Sequence, residues 1–235
     1  MNATIVRLAM QSLLGRRRGL VLLILPVLLL LLALVIRSLT GPGDAYPIVS
    51  TLGYGLALPL VALLSASAVL GPEIDDGSVV YLLAKPVNRY VVGLSKYLVA
   101  FLASVTFGAL PLGLAGMISD VGDPSRALGW FAGGVFASAA YCAVFLAVAA
   151  FTRHAVIIGL LFVLIWESLL GGLLDGVKWI SIGDWGRELA AAIGSVDSPP
   201  GTGLLYAMIA GAVITVAGLV LTGDRLRSFS LTGDE

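Results

Sequence analysis

Residues 71–89 read Gly-Pro-Glu-Ile-Asp-Asp-Gly-Ser-Val-Val-Tyr-Leu-Leu-Ala-Lys-Pro-Val-Asn-Arg, a charged stretch between two apolar runs, Ile48 to Leu70 and Tyr97 to Ser119. Pro72 suits the first turn of a helix, where its missing N–H is unpaired in any case, and Glu73, Asp75 and Asp76 sit at the positive end of the helix dipole. Pro86 stops the helix, and Asn88 caps the next one, which climbs into the following apolar run. The spacing predicts a short helix over 73–85, lying across a membrane surface with Val79, Leu82 and Leu83 available to bury. Periodicity leaves open whether that helix does more than connect two spans.

Working outward, 59% of the 235 residues are hydrophobic and only 12% are charged. A soluble domain carries about 25% charge, so the composition excludes an ordinary globular protein. At roughly 20 apolar residues per crossing, the chain holds six spans with short loops. The spans fall at about 19–37, 48–70, 97–119, 128–151, 155–174 and 204–222, within a single all-α transmembrane domain over 1–235. Residues 1–18 place Thr4, Arg7, Gln11, Gly15 and Arg18 on one helical face, which reads as an interfacial amphipathic helix. The apolar run from Gly19 to Ile36 lacks a small-residue cleavage site, so it is expected to remain as an uncleaved first span.

Basic residues orient the chain. With the N-terminus inside, Arg7, Arg16, Arg17, Arg18, Lys85, Arg89, Lys96, Arg153, Arg225 and Arg227 are cytoplasmic, against Arg37, Arg126, Lys178 and Arg187 outside. Both termini are therefore expected on the cytoplasmic side of a bacterial-type inner membrane. The formal net charge is zero, so nothing attracts nucleic acid in bulk. The single cysteine, Cys142, lies in an apolar run and reads as a core thiol. The single histidine, His154, beside Arg153, reads as an interfacial cap rather than a metal ligand or base.

A phosphate-binding loop needs Gly-x-x-x-x-Gly-Lys-Ser/Thr, and the three lysines here, Lys85, Lys96 and Lys178, follow Ala, Ser and Val. This chain is therefore expected to hydrolyse no ATP by itself. No span carries a paired acid, a His/Asp/Glu cluster or a Ser-Lys arrangement suited to catalysis, and no catalytic, metal or cofactor residues are expected.

The pattern Glu73…Gly77-Ser78…Leu82-Leu83…Lys85-Pro86…Arg89, placed between a second and a third span, resembles the type-2 permease family of ATP-binding-cassette transporters. The likeness extends to the surface helix before the first span, the short turn after the fourth, the longer stretch before the sixth and the basic end. It implies that 73–85 is a coupling helix, with Glu73, Asp76, Gly77, Leu82, Leu83, Lys85 and Arg89 meeting a separate ATPase subunit. It further implies two such ATPase copies, which bind ATP and Mg, and a second permease copy or a homologous permease completing the pathway. Export of a hydrophobic or amphipathic compound is likewise what the family implies. The chain departs from the pattern at Asp75-Asp76, where relatives often carry basic residues, which leaves open the charge of the matching ATPase surface.

Glu167 is the one acid deep within an apolar run. A charge at membrane depth costs roughly 2.5–3.5 kcal/mol on insertion scales, so it must face protein or water. It is either a pathway contact or the point near Trp166 where the fifth span gives way to an external segment, 175–203. Asp184 is the expected cap of a short helix in that segment, with Trp179 and Trp185 as interfacial anchors. In the resembled family, short external helices here close the outer gate. A different class, an ion-coupled secondary transporter or channel, would use Glu167 as its coupling site. The small residues Gly129, Gly133, Gly134, Ala137, Ala139 and Ala140 give the fourth span a face for close packing.

Overall fold

Long apolar runs satisfy their backbone groups in a bilayer only by closing hydrogen bonds within the segment, which dictates helices. The computed structural model describes residues 16–41, 45–75, 89–120, 122–171, 175–194 and 201–228, and among them the chain is helical, with no strand. Residues 1–15 and 76–88, which hold most of the expected interfacial and coupling helices, lie outside the described residues.

Helix α1 is Arg16–Thr40. Helix α2 comprises Ala45–Leu52, a π turn at Gly53–Ala57, and Leu58–Asp75. Helix α3 comprises Arg89–Ser104, a π turn at Val105–Ala109, and Leu110–Ser119. Helix α4 is Pro124–Phe151, and α5 is Ala155–Leu161 continued as a π helix over Phe162–Leu170. A 3-10 turn, Asp175–Ile180, leads to α6, Ile182–Gly194, and then to α7, Leu204–Ser228.

Helix α4 is the core. Two thirds of its apolar window (67%) is buried, against 22% for α1 and 17% for α7, which lie at the periphery. Its start is set by Asp123, whose carboxylate accepts from the Ser125 N–H at 3.0 Å, with Pro124 in the first turn. Helix α1 stops where Gly41 turns to a φ of +91° and its N–H closes onto the Arg37 carbonyl at 3.0 Å.

Among the described residues, five helices are long and apolar enough to cross a membrane: Leu22–Thr40, Ala45–Leu70, Arg89–Ser119, Pro124–Phe151 and Leu204–Ser228. The sequence predicts six, the fifth over 155–174. The helix found there, Ala155–Leu170, is shorter than the other five. It flanks the far half of α4, where Phe162 meets Phe145 edge-to-face at 6.1 Å. Helix α6 flanks the near half. Gly194 lies against Gly129 and Ser125, whereas Gly183 lies against Tyr141, about four turns further along α4. Helices α5 and α6 thus line the height of α4 between them, with an interruption in the middle. Helix α6 is accordingly built into the bundle: Ile182, Trp185, Ala190 and Ala191 are buried, and Trp185, expected at an interface, is only 1% exposed.

Close approach of α6 to α4 requires glycine. A Cβ on Gly133 would stand 2.2 Å from the Gly186 carbonyl oxygen, and one on Gly129 would stand 2.4 Å from that of Ala190. Gly134 faces the other way, onto Ala109 and Leu112 of α3. The small face of α4 is used for packing inside the chain.

Pro59 and Pro111 each follow a π turn by two residues, and each lies in the same tetrapeptide, Ala-Leu-Pro-Leu, at 57–60 and 109–112. Proline lacks an N–H and its ring crowds the carbonyl four residues back, and a widened turn relieves that crowding. The two segments pack on each other: a Cβ on Gly108 would meet the Leu58 side chain at 2.8 Å and that of Val61 at 3.5 Å.

At the opposite end of the bundle from Gly194, the base of α3 is tied to both neighbours. Arg89 donates to the Leu226 carbonyl at 3.2 Å and the Tyr90 hydroxyl to Asp224 Oδ1 at 2.6 Å, both on α7. Lys96, 1% exposed, donates from Nζ to the Val69 carbonyl of α2 at 3.0 Å.

Candidate functional site

Where α6 begins, inside the bundle beside Tyr141, the backbone N–H groups of its first turn have no intrahelical partners. The end of α5 supplies the acceptor. Glu167, 4% exposed, receives the Ser181 hydroxyl on Oε2 at 2.6 Å, the Ile182 N–H on Oε1 at 3.0 Å and the Gly183 N–H on Oε2 at 3.4 Å. These donors are neutral, and the positive end of the α6 dipole adds to them. The Tyr141 hydroxyl faces the same carboxylate without closing a hydrogen bond of ordinary geometry.

The cap of α6 is Ser181, whose Oγ accepts from the Asp184 N–H at 3.1 Å. Asp184, the cap expected from sequence, instead pairs through its carboxylate with Arg187 one turn on. The Ser-x-x-Asp spacing at 181–184 is the legible signal for this arrangement. Ser168, next to Glu167, donates to the Gly55 carbonyl at 3.0 Å. That is the carbonyl one turn before Pro59, which has no N–H to offer it. Two successive residues of α5 thereby reach α6 and α2.

Helices α2, α5 and α6, with Trp130 of α4 and the 3-10 turn, line a half-open cavity of about 720 Å³, within the range of small-molecule sites. Leu52, Leu56 and Leu164 contribute apolar wall, while Thr51, Glu167, Lys178, Arg187 and Glu188 contribute polar groups. Arg187 also reaches the Thr51 hydroxyl at 3.4 Å, across the cavity from α6 to α2.

Of the residues singled out from sequence, Glu73 does not open a new helix after Pro72: α2 runs on through Asp75, so Glu73 falls in its last turn, while Arg89 opens α3 and donates to the Leu226 carbonyl. Asp76, Gly77, Leu82, Leu83 and Lys85 lie outside the described residues. Glu167 belongs to a different region, in the bundle interior. Cys142 is a buried free thiol, and His154 stands exposed at the N-cap position of α5 with no side-chain cap bond. Among the described residues no group of His, Cys, Asp and Glu is placed to hold a metal.

The family described as ABC-2 family transporter protein matches residues 16–169, about two thirds of the chain. The chain belongs to the ABC-2 transporter family. No curated protein matches it. An ABC-2 permease is a multi-pass membrane component, and membership implies association with an ABC ATPase. The match stops two residues beyond Glu167, so α6 and α7 of this ABC-2 chain lie outside it.

Proposed function

We propose that this ABC-2 permease forms the transmembrane pathway of an exporter, as a pair with a second copy or a homologous permease, driven by two separate ATPase subunits that bind ATP and Mg. The observation that carries this reading is the family match over 16–169. Both termini face the cytoplasm of an inner (plasma) membrane, and α5 with α6 serves as a sixth, broken crossing. Residues 73–85, from the last turn of α2 into the stretch that follows it, serve as the coupling segment, with Glu73, Asp76, Gly77, Leu82, Leu83, Lys85 and Arg89 at or beside the ATPase contact. Nucleotide binding biases the spans between inward-open and outward-open states by favouring one over the other. The exported compound is hydrophobic or amphipathic, a reading supported by the mixed wall of Leu52, Leu56, Leu164, Lys178 and Arg187, with Glu167 on the pathway side. An ion-coupled mechanism through Glu167 gains no support from its contacts, since Ser181, Ile182 and Gly183 already engage the carboxylate.

The test is co-expression with an ABC ATPase and purification of the complex. Gly77→Pro or Leu82→Asp is expected to break the complex or to uncouple ATP hydrolysis from transport. Intact assembly and transport in both variants would overturn the coupling role.

A further inference from the structure

Glu167 differs from an ordinary buried acid in where it comes from and what it holds. It belongs to the last turns of α5, yet every hydrogen bond to its carboxylate comes from Ser181, Ile182 and Gly183, at the start of α6. A half-helix that begins inside an apolar bundle exposes N–H groups that no water can satisfy, and each costs several kcal/mol if left unpaired. A carboxylate at that point satisfies them and also opposes the dipole. We propose that Glu167 is a positioning residue that joins the two halves of the broken crossing, fixing α6 as a permanent part of the bundle and not as a lid that lifts.

Three further contacts converge on the same element. The Tyr54 ring of α2, fully buried, lies against Gly186, where an added Cβ would come within 2.9 Å of it. Gly129 and Gly133 leave no room between α4 and α6. On the α7 side, Tyr206 meets Trp185 at 6.5 Å between ring centroids and donates its hydroxyl to the Trp179 carbonyl at 2.9 Å. Packing can hold α6 sideways, but among the described residues it is Glu167 and Ser181 that satisfy the N–H groups at its buried end. The anchor also lies at the limit of the family match, which ends at residue 169, so it is read from this chain's own contacts.

The anchor is internal to the chain and does not need the ATPase. It is tested on the full chain in lipid nanodiscs, in a Cys142→Ala background, with Ala191→Cys as reporter. Ala191 lies on α6 at the cavity wall and is 9% exposed. A maleimide should label the reporter slowly in the parent chain and at least tenfold faster when Glu167→Ala is added. Glu167→Gln, whose amide oxygen still accepts, should fall between them, Ser181→Ala should also accelerate labelling, and Ser181→Thr should restore the slow rate. Parent-like labelling in both Glu167→Ala and Ser181→Ala would overturn the proposal, as would equal acceleration by Ser181→Thr. If Glu167→Ala does not yield folded protein, the Ser181 pair decides. Failure of the chain to bind an ATPase would sink the proposed function and leave this result standing.

Discussion

The hydroxyl of Tyr54 donates to the carbonyl of Trp130 at 2.8 Å, across 76 residues of sequence. Its ring fills the slot that Gly133 and Gly186 leave open, so one side chain of α2 touches both α4 and α6. Tyr54→Phe keeps the ring and loses one buried hydrogen bond, so it should lower stability by about 1–2 kcal/mol. Tyr54→Ala empties the slot and should cost about 3–5 kcal/mol. Thermal unfolding of the purified chain in detergent distinguishes the two, and equal losses would mean that the hydroxyl, not the ring, holds the contact.

Gly133→Ala places a methyl group against backbone that cannot swing aside. We expect a loss of about 1–3 kcal/mol or outright failure to fold. Gly176→Ala, with nothing within 4 Å of the new Cβ, serves as the control and should change the melting temperature little.

Lys96 is nearly inaccessible and bonds the Val69 carbonyl, on the flank of the segment expected to meet the motor. Lys96→Met keeps the length and removes the charged donor. A loss of about 1.5–3 kcal/mol is expected from the range for hydrogen bonds to charged groups. An unchanged melting temperature would show that the bond contributes nothing.

The turn before α4 responds to acid. Hydrogen bonding from the Ser125 hydroxyl, at 2.5 Å, holds the Asp123 carboxyl below its usual range, with Arg126 acting in the same direction. Because folding lowers this pKa, the cap stabilises the fold above about pH 4 and loses that contribution as pH falls through and below this value. The melting temperatures of the parent chain and of Asp123→Ala should therefore differ at pH 6 and converge toward pH 3.

Much of this architecture is legible as long continuous apolar runs, because a run of that length pairs its backbone groups within itself as a helix, whereas barrel strands are short and alternate. The charged stretch at 71–89 and its place between two spans carry the resemblance to the family, and the match over 16–169 agrees. Glu167 was conspicuous because an acid among apolar residues is costly, but its partner, the start of α6, follows it by some fifteen positions and no periodicity links the two. Tryptophan favours both interfaces and cores, and the glycine seam of α4 decides for the core at Trp185. The π turns leave a trace in the duplicated Ala-Leu-Pro-Leu at 57–60 and 109–112. Ser181 is legible in its Ser-x-x-Asp spacing, in which either residue can cap a helix.

Each π turn accommodates one residue more than an α helix of the same rise, and at 3.6 residues per turn one residue amounts to a rotation of about 100°. In α2 the portion before Leu58 addresses Trp130 through Tyr54, whereas the portion after it addresses α3 through Leu58 and Val61. A single-residue deletion at Leu56 would let that rod close as a plain spiral and swing one half away from its neighbours. The second crossing therefore behaves as two cantilevers sharing a swivel, each keyed to a different wall of the bundle.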